Sequence, residues 1–262
     1  MTTRTQAFGP MLRAWRQRRR LSQLDLALEA EVSQRHLSFI ESGRAEPSRD
    51  MVLHLAEQLD VPLRERNTLL LAAGFAPFFH ERPLDHPAMA PVRDAVRQVL
   101  AAHLPFPALA YDRHWCLVEA NAAVAPLLSG CAPALLAPPV NLVRLSLHPE
   151  GVAPRILNLG EWRAHLLARL RRQLANTGDA TLGALLAEAA AYPAPGAEEA
   201  DANAVAIPLR LAVPGGALSF LSTTTVFGTP QEVTLAELAI EAFLPADAAT
   251  AAALRHQAAA GP

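Results

Sequence analysis

The chain has 262 residues, 51% of them hydrophobic and 18% charged, enough for two domains of about 100–150 residues with real apolar cores. No apolar run approaches the ~18 residues that span a bilayer and the N-terminus lacks the apolar stretch of a secretory signal, so a cytoplasmic protein is expected, with no membrane partner; its two cysteines, Cys116 and Cys131, read as free thiols rather than a disulfide. The net charge of −2 hides an imbalance: all 23 basic residues are Arg, and residues 1–82 hold 12 of them against 10 acids, while residues 83–262 hold 11 against 15.

Residues up to Gly74 read as five short helices. Pro10 suits a first helical position, and Leu12, Trp15 and Arg16 follow at helical spacing. Arg13, Arg16, Arg18, Arg19 and Arg20 crowd into one short run, which suits either a solvated helix face or a polyanionic partner. Ser22 and Ser33 are N-caps for the next two helices, the first with Leu26, Ala27 and Ala30 on one side, the second with Leu37 and Ile40 turned inward. Gly43 marks a helix stop. Ser48 starts a fourth helix striped by Met51, Val52, Leu55, Ala56 and Leu59; Pro62 starts a fifth, ended by Gly74. The tight "AEVS" break between the second and third helices makes them a helix-turn-helix.

The stretch "SQLDLALEAEVSQRHLSFIESGRAEPS" resembles the helix-turn-helix of the phage-repressor-like (XRE) regulators over residues 10–74, with Gln23 opening the second helix, Ala27 at the crossing and Val32 in the turn. Glu31 departs from the pattern at a turn position often held by Gly; a positive φ there costs around 1 kcal/mol. The resemblance implies a double-stranded DNA partner, read by the N-terminal residues of the second helix of the pair. Gln can bond adenine and Arg guanine in bidentate fashion, so Gln34 and Arg35 are the candidate base readers. Ser38, one turn on, reaches a base or a phosphate, and Gln23, Arg16 and Arg44 are assigned to phosphates. A single helix-turn-helix reads few base pairs, so a homodimer on a palindromic operator is expected.

Residues 77–90, "PFFHERPLDHPAMA", read as a linker; His80, Glu81, Asp85 and His86 fit no compact zinc spacing. From residue 91 to 262 the pattern changes to helix, strand, turn, strand, several helices and a hairpin. Tyr111 closes the first strand, Asp112 and Arg113 turn, and Trp115, Leu117 and Val118 form the second, with Asn121 capping a following helix. Helices are expected at 141–147, 161–175 and 181–192, followed by an acidic patch at 195–203. Alternating Val205, Ile207, Leu209 and Leu211, then Pro214-Gly215-Gly216, give the hairpin, and "TLAELAIEAFLP" a last strand. The fold class is thus α+β: an all-α five-helix unit followed by an antiparallel sheet backed by helices.

That order resembles a PAS-type sensor, and more closely the MmyB-like ligand-binding domain that follows XRE units, through "YDRHWCLVEANAA", "NLVRLSLHPEG", "LGEWRAHLLARLRRQ" and "LSFLSTTTVFGTP". The resemblance implies a hydrophobic cavity for a fatty-acid-like small molecule. Trp115, Leu166, Leu170, Phe220 and Phe227 are its candidate lining, and Asn121 and Arg144 its candidate carboxylate anchors. No nucleotide-binding, hydrolase or metalloprotease motif is present, so no enzyme activity and no cofactor are expected. Haem or flavin, through His114, His165 or Cys116, is the alternative ligand, and a protein-interaction role with a structural dimerisation domain is the alternative function.

Overall fold

The computed structural model describes residues 7–193 and 206–259; the acidic patch at 195–203 and Val205 lie outside them. The chain forms two compact units, one of residues up to Arg82 with 175–177 and 230–236, the other of Pro83–Leu174, Gly178–Thr229 and the residues from Glu237 on. Among the described residues no helix is long and apolar enough to cross a membrane.

The first unit holds α1 (Phe8–Arg18), α2 (Gln23–Glu29), α3 (Gln34–Glu41), α4 (Arg49–Gln58) and α5 (Leu63–Ala72). Serine hydroxyls start three of them: Ser22, Ser33 and Ser48 accept from the amides of Asp25, His36 and Met51, and Asp25 returns a bond to the Ser22 amide, closing a capping box. All five end alike. The residue past the C-cap is left-handed: Arg20 (φ 60°), Glu31 (53°), Gly43 (72°), Asp60 (46°) and Gly74 (84°). The next amide then reaches back five residues, as from Leu21 to Arg16, Val32 to Ala27, Arg44 to Phe39, Val61 to Ala56 and Phe75 to Leu70, at 2.8–3.1 Å. These Schellman closures bring Leu21, Val32, Val61 and Phe75 onto the core formed by Leu12, Trp15, Leu26, Leu37, Ile40, Leu55 and Leu69. α1 begins before Pro10, and its Gly9 lies against the end of α3: a Cβ there would meet the Glu41 and Ile40 carbonyl oxygens at 2.5 and 2.6 Å. Only glycine allows that approach.

The second unit is a five-stranded antiparallel sheet with helices on both faces. Its helices are α6 (Ala90–Ala102), α7 (Pro133–Leu136), α8 (Leu142–Leu147), α9 (Leu159–Thr177), whose last residues fall in the first unit, and α10 (Ala180–Ala191). Its strands are β1 (Ala108–Tyr111), β2 (Leu117–Ala120), β3 (Leu209–Val213), β4 (Gly216–Val226) and, after the short α11 (Val233–Ala236) of the first unit, β5 (Ala239–Pro245); α12 (Ala248–Ala259) follows. The strand order is β2-β1-β5-β4-β3. β1 is buried throughout because both its faces are covered. Small Ala108 and Ala110 meet Val96 and Leu100 of α6, together with Ile240 and Ala242, while Leu109 and Tyr111 join Trp162, Leu166 and Leu170 of α9 and Leu182 and Leu185 of α10.

Three expectations change. Trp115 sits in the β1–β2 turn, not in a strand, at φ 65°; the Asp112 carboxylate lengthens that turn by accepting from the His114 and Cys116 amides at 2.8 and 2.9 Å. "TLAELAIEAFLP" divides into α11 and β5, and α12 had no counterpart in the sequence reading because its Ala-rich run carries no apolar stripe. Asn121 caps no helix. Its buried amide instead ties α6 to β1, donating to the Leu100 and Phe106 carbonyls at 3.0 and 2.8 Å and accepting from the Ala108 amide at 3.2 Å.

Glu31 holds a left-handed conformation that favours glycine, so Glu31→Gly is expected to raise unfolding stability by up to about 1 kcal/mol, and Gly43→Ala to lower it by a similar amount. Urea unfolding of the full chain measures both.

Candidate functional site

The outward face of α3 is set from inside. Leu12, Trp15 and Arg16 share one face of α1, and Leu37, Ile40 and Glu41 one face of α3, so the apolar contact between the helices carries two opposite charges into the core. Arg16 Nε donates to Glu41 Oε1 at 2.6 Å and Nη2 to Oε2 at 2.9 Å, a bidentate pair with side chains only 9% and 3% exposed. Arg16 Nη1 donates to the Leu21 carbonyl at 2.8 Å, and Gln23 Nε2 donates to Glu41 Oε2 at 2.8 Å. Burial pushes the Glu41 carboxyl up, but the bonds from Arg16 and Gln23 and the charges of Arg16 and Arg13 outweigh it and hold it below its ordinary 4.5. The Arg16–Glu41 pair therefore ties the end of α3 to α1, the α1–α2 turn and the start of α2.

This corrects two assignments. Arg16, expected on a phosphate, is buried and spent on Glu41, because it lies on the apolar stripe of α1. Gln23, also expected on a phosphate, is half-buried with its amide on the same carboxylate. Arg19 is likewise turned inward, capping α4 through the Leu59 and Asp60 carbonyls at 2.8 and 2.7 Å. The other expected residues stand outside: Gln34, Arg35 and Arg44 are exposed and Ser38 half-buried. Arg35 and Arg44 carry their guanidinium groups over the Phe39 ring, at 5.3 and 6.0 Å from its centroid. The face combines bidentate donors, Gln34 and Arg35, at the N-terminal half of a short, capped helix with the cation of Arg44 just past its end, the chemistry that reads base edges and phosphates.

In the second unit a cavity of about 100 Å³ lies between the sheet and its helices. Trp115, Leu109, Leu209, Leu211 and Phe243 line it from the sheet side, and Leu142, Leu145, Trp162 and Leu166 from α8 and α9. Its few polar groups are engaged: the Ser146 hydroxyl accepts from Trp162 Nε1 at 2.9 Å, and Glu241 pairs with Arg169 at 2.8 Å. Arg169 also donates to the Tyr111 and Thr224 hydroxyls at 2.9 and 3.1 Å and lies 4.7 Å from the centroid of Trp115, which stacks on Tyr111 at 5.1 Å. Burial, then the charge of Glu241, pushes the Tyr111 hydroxyl up to about 12.

Of the expected lining, Trp115 and Leu166 are present; Leu170 and Phe220 are fully buried core residues away from the cavity, and Phe227 packs on the opposite side of the sheet with α6. Neither expected carboxylate anchor reaches it. Asn121 is consumed at the α6–β1 junction, and Arg144 is an exposed residue of α8 held by both Glu188 oxygens at 2.8 Å. Their motif membership carried no information about which way they point. Trp162 was missed although it stands one turn before Leu166 on the same stripe, and Glu241 and Arg169 were missed because their pairing spans 72 residues. His114 is bonded to Asp179 at 2.8 Å, His165 stacks on Trp162, and Cys116 is half-buried with its thiol pushed up by burial.

Residues 92–256 match the family described as the MmyB-like transcription regulator ligand binding domain, and residues 12–66 match a helix-turn-helix family. No curated protein matches the chain.

Glu41→Gln is expected to destabilise the full chain by about 3 kcal/mol at neutral pH, since it leaves the buried Arg16 without its counter-charge. Folding lowers the Glu41 pKa, so its contribution is full above the ordinary value of 4.5 and is lost as pH falls through the lower folded value. Denaturant titrations from pH 7 to pH 3 are therefore expected to show the gap between wild type and variant closing on the acid side.

Proposed function

The chain belongs to the MmyB-like transcription regulators and is a DNA-binding regulator with a ligand-binding domain; on that premise we propose that α3 reads an operator through Gln34 and Arg35, and that the cavity beside Trp115 and Leu166 holds a small hydrophobic ligand that controls the reading. The observation that carries the first half is the exposed, capped face of α3, fixed by a buried ion pair rather than by surface contacts. Arg44 keeps the phosphate role that Arg16 and Gln23 lose, and Ser38 serves either a base or a phosphate. The protein acts as a homodimer in the cytoplasm on a palindromic site, since one such helix spans too few base pairs for specific recognition.

The strand order β2-β1-β5-β4-β3, with a cavity on the face covered by α8 and α9, supports a PAS-type sensor. Its wall is almost wholly apolar, which favours a hydrocarbon-like ligand over haem or flavin. The volume, about 100 Å³, is well below the ~300 Å³ at which drug-sized pockets begin and below the ~150 Å³ that takes benzene. A fatty-acid-like ligand, the class the family likeness suggests, fits here by only its first few methylenes. Control requires only that ligand bind one DNA-binding state more tightly than another.

Arg35→Ala is expected to weaken operator binding by about 1–3 kcal/mol and to relax preference at one base pair, whereas Arg44→Ala weakens all sequences alike and lowers the salt slope by about one unit. Fluorescence anisotropy on operator variants separates the two effects. In calorimetry with n-alkanoic acids and alcohols, affinity is expected to rise by up to about 0.8 kcal/mol per methylene over the first few carbons and to level off short of six, because the void is smaller than the ~150 Å³ that takes benzene. No binding across the series would remove the hydrophobic-ligand reading and leave the DNA reader standing.

A further inference from the structure

Phe39 is a half-exposed position of α3 to which the DNA-reading assignment gives no task. Among the described residues, the core behind α3 takes Leu37 and Ile40 and leaves Phe39 out. Its ring stays half-exposed on the outer side of the helix, between the guanidinium groups of Arg35 and Arg44 at 5.3 and 6.0 Å. The backbone beneath is pinned: the Phe39 carbonyl accepts from the Arg44 and Ala45 amides at 2.8 and 3.2 Å and from the Ser42 hydroxyl at 3.2 Å. A large apolar ring is thus held rigidly outward, among cations, on the surface that faces DNA.

We propose that Phe39 is a specificity-determining residue that reads the 5-methyl group of a thymine in the major groove. Resting on the assignment of α3 as the reading helix, this names a second class of contact on the same face. Phe39 follows Arg35 by four residues, so both share one face, about 6 Å apart along the axis. That span is about two base-pair steps. With Arg35 on the O6 and N7 of a guanine, the ring falls one or two steps along, where a thymine offers the only apolar group on the major-groove edge of a base pair. The flanking guanidinium groups polarise toward guanine and phosphate, and the ring between them gains only from an apolar neighbour. The preferred half-site therefore carries a guanine with a thymine one or two steps away.

The test replaces each thymine of the selected half-site with deoxyuridine, one at a time, which removes the methyl group and leaves base pairing intact. With the full-length wild-type protein, one substitution, within two steps of the base pair at which Arg35→Ala relaxes preference, is expected to weaken binding about fourfold, the worth of one buried methyl group. In Phe39→Ala, and in Phe39→Ser as a second variant, that penalty disappears while the other thymines are unaffected. A ring that merely props Arg35 and Arg44 would lower affinity on mutation without changing the deoxyuridine profile. A flat profile with the wild type, or a penalty that survives in a folded Phe39 variant, overturns the proposal. If Arg35→Ala leaves base preference untouched, the reading-helix assignment falls first and this contact with it.

Discussion

The geometry of the DNA-reading unit depends on one buried charge pair. Arg16 and Glu41 bring opposite charges into a small helical core, where each is tolerable only because the other is there. The pair stands next to Gly9, whose missing side chain lets α1 lie against the carbonyls at the end of α3. Charge pairing and close approach act on the same few residues. Together they fix the rotation of α3 about its axis, and that rotation decides which side chains face outward. Turned by one residue, α3 would present His36 and Ile40 in place of Arg35 and Phe39. Hydrophobic burial of Leu37 and Ile40 tolerates small rotations; a bidentate guanidinium–carboxylate pair does not.

The second unit uses the same device to another end. Glu241 of the central strand β5 and Arg169 of α9 are paired beside the cavity, with Trp115, Tyr111 and Thr224 gathered around the guanidinium. The pair fastens the long helix to the sheet at one edge of the cavity while the wall itself stays apolar. Trp115 reaches that wall from a left-handed turn, a conformation costly for an aromatic residue, which Asp112 holds in place by accepting two backbone bonds. A ligand that moves the indole therefore acts on the turn, on Tyr111 and on the Arg169–Glu241 pair together.

Much of the helical unit was legible because its signals are local. Three serine caps, two glycine stops and the spacing of Leu26, Leu37, Ile40, Leu55 and Leu69 each act within a turn or two of chain, and they placed five helices in order. The same physics explains the errors. Arg16 looked like one more cation in an Arg-rich run, yet it shares a face with Leu12 and Trp15, as Glu41 does with Leu37 and Ile40. Two charges on two apolar stripes were the readable sign of a buried pair. Asn121 and Arg144 could not be placed in this way, because their partners, the α6–β1 junction and Glu188, are set by the tertiary fold. The cavity was the least legible feature of all. Its lining comes from segments scattered between Pro107 and Phe243, and whether Leu166 or Leu170 faces the void depends on how α9 lies on the sheet.

Whether α3 is a sequence-reading helix, rigidly oriented and used in pairs, is tested most directly by an unbiased selection from a random duplex library with the full-length protein. The expected outcome is enrichment of a two-fold symmetric motif, with half-sites about one helical turn apart and one guanine-containing position in each half-site that loses its preference in Arg35→Ala. Failure of a folded protein to enrich any motif would contradict it and favour a helix-turn-helix that binds protein instead.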